Sequence, residues 1–373
     1  MTAAAPSYPH ATRLAGALAQ RETPSAVLSH RLAVAADVAR SRAATEPLAA
    51  ALVVGSTALR RCSPRADLDL VLIHPHGDPI PRFETEMRDG LKIEIERLTV
   101  TEALAATEDD GWTWELRAAA RLACGLAVLD PDGFATRLQA RAARQQPWPD
   151  RCEEALRGVY ETLTALGDER SATPPGEGLR GCLDNLALLA LLEQPRRYQK
   201  AKWVLADLLH AGELALVEAT LRAYGALEDS AAATTRTLAR VRSLIDAAYA
   251  AIGAPAHDDL LARGYAPDHA AASYVSRALA DAEDLAASGR QIEAQYVARF
   301  AARLGGGLIA PPTAVLSLAE SFALRGADLA EHYAAVFEDC PPPDTAALRT
   351  ALGAADARLA ALSARESREV SPA

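Results

Sequence analysis

The stretch VVGSTALRRCSPRADLDLVL, Val53–Leu72, decides how this sequence is interpreted. An apolar run ends in Gly55-Ser56, ten residues follow, and a second run opens with Asp67-Leu68-Asp69. Side chains alternate along a β-strand, so Asp67 and Asp69 are expected on the same side. Two such carboxylates repel each other unless a cation neutralises them, and Mg²⁺ is a hard ion that prefers oxygen ligands. The stretch therefore predicts two strands joined by a turn, with a metal site at the start of the second strand.

The turn itself is suited to a phosphate. Gly55 permits a close approach between the backbone and a ligand, and Ser56 adds a hydroxyl group. Together they are expected to hold the phosphates of a nucleotide whose oxygens also bind the metal.

A third carboxylate is expected from a neighbouring strand. The segment GLKIEIERLTV, Gly90–Val100, places Leu91, Ile93 and Ile95 on one face and Lys92, Glu94 and Glu96 on the other. Glu94 is the first choice, and Glu96 has the same parity. With two ions, one would activate the attacking oxygen and the other would balance the charge on a leaving pyrophosphate.

The remaining patterns predict a small α/β domain followed by a larger helical one. The α/β part consists of predicted strands and helices: strands Ala49–Val54, Asp67–His74, Gly90–Val100 and Gly125–Asp130, a loop or hairpin His74–Arg82, and helices Pro24–Ala44, Thr101–Thr107, Trp112–Cys124 and Gly133–Arg144. Helical periodicity dominates afterwards: 151–167, 178–193, 198–210, 212–224, 230–252, 269–287, 290–303, 313–325, 327–338 and 343–363. The fold class is α/β plus all-α, with a small mixed-sheet domain, including the N-terminal helix, at 1–145 and a larger substrate- or partner-binding helical domain at 146–373.

Composition limits the classes of partner. The 373 residues carry a net charge of −10, which argues against a nucleic-acid partner because such binders usually have a basic surplus. No run of 18 apolar residues occurs, so no membrane partner is expected, and the N-terminal sequence lacks signal-peptide features, which favours the cytoplasm. The five cysteines show no CxxC spacing, so neither a disulfide framework nor a structural zinc site is expected.

The motif resembles the signature of the DNA polymerase β-type nucleotidyltransferase superfamily, in which Gly-Ser, a spacer and Asp-x-Asp lie between two strands. Lys92–Glu96 followed by the helix at Thr101–Leu104 makes the chain most similar to kanamycin-type antibiotic nucleotidyltransferases. The resemblance covers about residues 45–145. It implies that Asp67, Asp69 and Glu94 bind two Mg²⁺ ions, and that Gly55 and Ser56 bind the phosphates of ATP or another nucleoside triphosphate.

One position departs from the pattern. Relatives often carry Arg four residues after the Gly, whereas this chain has Leu59 there, followed by Arg60 and Arg61. Either Arg60 substitutes for that Arg in binding the triphosphate, or the loop binds the triphosphate differently.

The resemblance also implies a carboxylate base in the helical domain. Asp184 is the first candidate because it lies in the otherwise apolar helix LDNLALLALLEQ, where an unpaired acid is costly to bury. Glu153 and Glu154 are the alternative candidates for the base. A purely structural role is also open for Asp184, as the ion-pair partner of Arg180 one helical turn away. Lys200 and Lys202 precede Trp203 and are expected either to contact the β- and γ-phosphates or to lie as solvated charges at a helix end.

Together with these residues, the resemblance implies a Mg-dependent enzyme that moves a nucleoside monophosphate, with AMP from ATP expected, to a hydroxyl of a small molecule and releases pyrophosphate. An anionic cleft suits a cationic acceptor such as an aminoglycoside, and a biosynthetic acceptor stays open. The alternatives are a protein-modifying (AMPylating) or antitoxin-like regulatory nucleotidyltransferase and a catalytically silent nucleotide-binding module. The sequence does not indicate the oligomeric state.

Overall fold

A computed structural model describes most of the chain. The described residues are 8–19, 23–62, 66–77, 81–108, 119–143, 149–166, 175–192, 200–263, 267–309, 327–341, and residues 350, 353, 356–358 and 360. The chain divides into two compact units. The sheet unit comprises Gly16–Cys152 with Ala190–Gln199, and the helical unit comprises Met1–Ala15, Glu153–Leu189 and Lys200–Ala373. The domain boundary expected between residues 145 and 146 stays a prediction.

The sheet unit is built on one mixed five-stranded sheet. Its strands are β1 (Ala50–Val53), β2 (Leu68–His74), β3 (Phe83–Arg88), β4 (Leu91–Thr99) and β5 (Leu126–Leu129). They lie in the order β3-β4-β2-β1-β5, with β2 and β4 parallel and the other neighbours antiparallel. The predicted fold class, a mixed sheet accompanied by a mostly helical remainder, is confirmed.

The first helix, α1 (Pro9–Ala19), has most of its residues, up to Ala15, in the helical unit. The helices of the sheet unit include α2 (Ser25–Ala43), the short α3 (Gly55–Ala58), α4 (Val100–Glu108) and α5 (Phe134–Ala142). On one face of the sheet, Val34 and Val38 of α2 share a core with Leu68 and Ile93. The opposite face packs against α4 and α5 and against the helical residues 119–123. Because both faces are covered, every β2 residue except Asp69 is buried. Asp69 is partly exposed near the start of β2.

The helical unit contains most of the remaining helices. They are α6 (Pro149–Leu166), α7 (Pro175–Leu192), α8 (Val204–His210), α9 (Leu214–Ala223), α10 (Ala231–Ile252), α11 (His257–Arg263), α12 (Ala270–Ala287), α13 (Gln291–Ile309) and α14 (Ala327–Phe337), with 3₁₀ turns at Ala201–Trp203 and Pro267–His269. The sequence did not predict α1, α11 or β3. The expected helix 313–325 and most of 343–363 lie outside the described residues, as does the first part of Trp112–Cys124.

Two further features concern the described part of the chain. None of its helices combines the length and apolar character needed to cross a membrane. Cys62, Cys124, Cys182 and Cys340 are free thiols, of which Cys182 is buried.

Candidate functional site

Three carboxylates lie near the start of two neighbouring strands of the sheet unit. Asp69 of β2 and Glu94 of β4 are register partners in the parallel ladder, so both side chains leave the sheet on the same face. Asp67 directly precedes β2 and has the same parity as Asp69. Leu68 and Ile93, of opposite parity, are buried in the core on the other face. The fold therefore brings the predicted Asp67, Asp69 and Glu94 to one end of one face.

Lys92 binds two of these carboxylates. Its Nζ donates to Glu94 Oε1 at 2.7 Å and to Asp67 Oδ2 at 3.3 Å. Burial raises the pKa of Asp67, and the negative charge of Glu94 raises it further, whereas Lys92 opposes both effects. Burial alone would lower the pKa of Lys92, but its bonds with Glu94 and Asp67 raise that pKa overall. The negative charges of Asp67 and Glu94 thus repel each other, and a nearby cation lowers the energy of that repulsion.

The donor set suits a divalent metal ion. Carboxylate oxygens are the ligands that Mg²⁺ prefers, and Asp67, Asp69 and Glu94 supply them from adjacent positions. Among the residues that the structure describes, however, no three His, Cys, Asp or Glu side chains form a ready metal-binding group. The ammonium of Lys92 pairs with both Asp67 and Glu94. Metal binding by the trio stays a prediction.

Gly55 brings the turn against Asp69. Its φ of +65° is a left-handed conformation, and a Cβ added there would lie 2.1 Å from Asp69 Oδ2. The amide of the preceding Val54 donates to the carbonyl of Asp69 at 3.0 Å, which links the ends of β1 and β2. Ser56 follows within α3 and is partly exposed. Gly55 therefore adjoins the Asp69 carboxylate. The binding of a phosphate by Gly55 and Ser56 stays a prediction.

Arg31 of α2 is a structural part of the site that sequence reasoning missed. Its side chain is buried and donates to Thr57 Oγ1 at 3.3 Å, to the carbonyl of Ala66 at 2.7 Å and to the carbonyl of Asp67 at 3.2 Å. One guanidinium thus connects the Gly55 turn to the residues that lead into β2. A signal existed, since Arg31 lies three and four residues before the buried Val34 and Ala35 and so belongs to the inward-facing stripe of α2.

Solvent exposure distinguishes the remaining predicted site residues of the sheet unit. Arg60 is exposed at the end of the turn and has a φ of +57°. Glu96 lies deeper in the sheet, opposite Val71, and is bonded to Arg121 Nη1. The Glu96 side chain is 19% exposed, against 47% for Glu94. This difference favours Glu94 as the third carboxylate.

Asp184 has the contacts of a structural residue. In the helical unit it accepts hydrogen bonds from the Tyr224 hydroxyl at 2.7 Å and from Arg303 Nη1. Burial raises its pKa, while Arg303 and Tyr224 act in the opposite direction. Arg180, the expected ion-pair partner, instead donates to the carbonyl of Ala223 and lies over the Phe337 ring. A catalytic role for Asp184 stays a prediction.

The two lysines of the helical unit also differ. Lys202 pairs with Asp281 and lies 5.5 Å from the centre of the Trp203 ring. Lys200 is exposed and precedes the 3₁₀ turn Ala201–Trp203. The prediction that Lys200 and Lys202 bind nucleotide phosphates stays a prediction.

This end of the sheet holds three carboxylates, the ammonium of Lys92 and a glycine turn packed against Asp69. Carboxylate oxygens are ligands that hard cations prefer, and the binding of a metal or a phosphate here stays a prediction. Neither a protein-family model nor a curated protein was found to match the chain.

Proposed function

We propose that this chain is a Mg²⁺-dependent nucleotidyltransferase that moves AMP from ATP to a hydroxyl of a small molecule and releases pyrophosphate. The observation that carries the proposal is the register pairing of Asp69 with Glu94 on parallel strands, with Asp67 bonded to the same Lys92 as Glu94. ATP as the donor and a small hydroxyl acceptor follow from the resemblance of the motif to the DNA polymerase β-type superfamily.

Asp67, Asp69 and Glu94 would hold the metal. Bound Mg²⁺ supplies Lewis acidity, which favours the deprotonated acceptor oxygen and neutralises charge on the pyrophosphate. The acceptor oxygen forms a bond to the α-phosphorus, the bond from that phosphorus to the bridging oxygen breaks, and the hydroxyl proton passes to a base or to water.

The turn residues would orient the nucleotide. Ser56 can donate its hydroxyl to a phosphate oxygen, and Arg60 can add a positive charge from the exposed end of the turn. Gly55 keeps the turn close to Asp69, because any side chain there would occupy the position of the Asp69 carboxylate. Arg31 would act through these groups by holding Thr57 and the carbonyl of Asp67.

Two measurements test the proposal. Calorimetry of MgATP binding needs no acceptor: the wild-type chain should bind it, and Asp67→Asn should weaken binding. Pyrophosphate release is then followed with each nucleoside triphosphate and a panel of hydroxyl-bearing acceptors. We expect Asp67→Asn to lower turnover by more than about 100-fold, since the loss of a metal ligand removes several kcal/mol of transition-state stabilisation.

The choice between Glu94 and Glu96 is tested in the same assay. Glu94→Gln should match the loss caused by Asp67→Asn, whereas Glu96→Gln removes the ion pair with Arg121 and should retain most turnover. Circular dichroism verifies that each variant is folded. Wild-type turnover in Asp67→Asn, or the absence of MgATP binding by the wild-type chain, would show the proposal to be wrong.

A further inference from the structure

Lys92 lies beside the carboxylate cluster, which consists of Asp67, Asp69 and Glu94. It precedes Glu94 by two residues on β4, so both side chains leave the same face of the sheet. Its Nζ lies 2.7 Å from Glu94 Oε1 and 3.3 Å from Asp67 Oδ2. One ammonium therefore contacts two of the three side chains to which metal binding is assigned above.

Arg31 and Arg121, two arginines of the described residues near the cluster, have other partners. The Arg31 guanidinium donates to the carbonyls of Ala66 and Asp67 and to Thr57, and not to a carboxylate of the cluster. Arg121 is bonded to Glu96. Lys92 thus places one positive charge against both the Asp67 and the Glu94 carboxylates.

Lysine is rare among the basic residues of this chain. Of 39 basic Lys and Arg residues, only Lys92, Lys200 and Lys202 are lysines. A lysine ammonium is a compact charge on a flexible stem, whereas the wider guanidinium of arginine grips carboxylates in a fixed two-pronged geometry. A compact charge on a flexible stem is also the easier one to displace.

We infer that Lys92 is a built-in counter-ion, which occupies the cation position at Asp67 and Glu94 in the metal-free protein and is displaced when a divalent ion binds. The inference rests on the proposed function, because it takes Asp67, Asp69 and Glu94 as metal ligands. Its physical basis is competition: the ion and the ammonium cannot bind the same carboxylate oxygens at once, so metal affinity includes the cost of breaking the Lys92 contacts.

The test measures metal affinity without nucleotide or turnover. Mn²⁺ is titrated into the nucleotide-free protein, and the free ion is followed by its electron paramagnetic resonance signal. Lys92→Met keeps the stem but removes the charge, and we expect it to bind Mn²⁺ about 5- to 10-fold more tightly than the wild-type chain. Lys92→Arg retains the charge and should not gain affinity.

A matched control separates local displacement from net charge. Arg40→Met removes one positive charge from the exposed Arg40–Asp37 pair on α2 and should change Mn²⁺ affinity by less than about twofold. Thermal denaturation gives a second readout: Lys92→Met should unfold at a lower temperature in EDTA than the wild-type chain, and Mn²⁺ should raise its unfolding temperature by more.

The outcomes separate this inference from the proposed function. If the wild-type chain binds Mn²⁺ and Asp67→Asn loses it, but Lys92→Met binds no more tightly, the counter-ion role is wrong and the metal site stands. If neither the wild-type chain nor Lys92→Met binds Mn²⁺, both are wrong. If only Lys92→Met binds Mn²⁺, the counter-ion role is supported and Mg²⁺-dependent activity of the natural chain is contradicted.

Discussion

Gly55 has two separate reasons to lack a side chain. Its φ of +65° is one that residues with a Cβ rarely adopt, and a Cβ would lie 2.1 Å from Asp69 Oδ2. The first reason concerns the stability of the backbone. The second concerns the position of a carboxylate, which can rotate away from the added atom only by leaving its present place.

Substitution of two glycines distinguishes these reasons. Gly90, at the β3–β4 connection, has a φ of +76° with nothing within 4 Å of an added Cβ. We expect Gly55→Ala and Gly90→Ala each to lower the free energy of unfolding by about 1–2 kcal/mol, measured by urea denaturation. Only Gly55→Ala should also weaken Mn²⁺ binding and pyrophosphate release by at least about tenfold, because Asp69 must move. Equal activity in the two variants would contradict the role assigned to Asp69.

At the scale of the element, α2 acts as a brace for the site. Arg31 contributes three hydrogen bonds that connect this helix to Thr57, Ala66 and Asp67. Loss of the guanidinium would leave these acceptors unsatisfied in a largely buried place, which costs more than the bonds themselves contribute. The helix therefore fixes both the turn and the start of β2.

We expect Arg31→Met to lower the free energy of unfolding by about 2–4 kcal/mol and to raise the KM for MgATP, because the turn and Asp67 lose their common support. Arg40→Met, an exposed change on the same helix, should alter stability by less than about 0.5 kcal/mol. Arg31→Lys should restore part of the affinity for MgATP if the charge and one bond suffice to hold the turn. Unchanged KM in Arg31→Met would remove the positioning role.

Alternation along the chain predicted β2 and β4, and short apolar segments predicted β1 and β5, because their apolar residues face a core. In β3 the pattern is inverted: Phe83 and Met87 are 72% and 69% exposed, while Glu84 and Glu86 are half-buried. Arg42 bonds to both glutamates, from 42 and 44 residues away, so no local pattern marks them as inward-facing.

In the candidate site, too, features set by neighbouring residues were predictable, and features set by distant residues were not. Asp67, Asp69 and Glu94 were predicted to share a face because that follows from parity within two strands. The partners of Asp184 were not predictable, since Tyr224 and Arg303 lie 40 and 119 residues further along the chain. Residues whose role depends on contacts from distant segments thus need the fold before they can be assigned.

At the scale of the whole molecule, each unit contains a buried histidine with a lowered pKa. Burial is the main cause at His74 in the sheet unit, where Glu46 opposes and Arg97 reinforces it. Burial is also the main cause at His257 in the helical unit, with Glu283 opposing and Arg242 reinforcing it. Both rings stay neutral in the folded chain at a pH at which the unfolded chain, with a histidine pKa near 6.5, binds protons.

Acid should therefore destabilise both units. The contribution of each neutral ring is fully present above about pH 6.5 and is lost as the pH falls toward the lowered folded-state pKa. We expect hydrogen–deuterium exchange, corrected for intrinsic rates, to show less protection in both units at pH 5 than at pH 7.5. His74→Gln should reduce this pH dependence in the sheet unit and His257→Gln in the helical unit, whatever their effect on stability at pH 7.5. His76→Gln, at an exposed position, should leave it as in the wild-type chain. Equal pH dependence in all four proteins would exclude His74 and His257 as the cause.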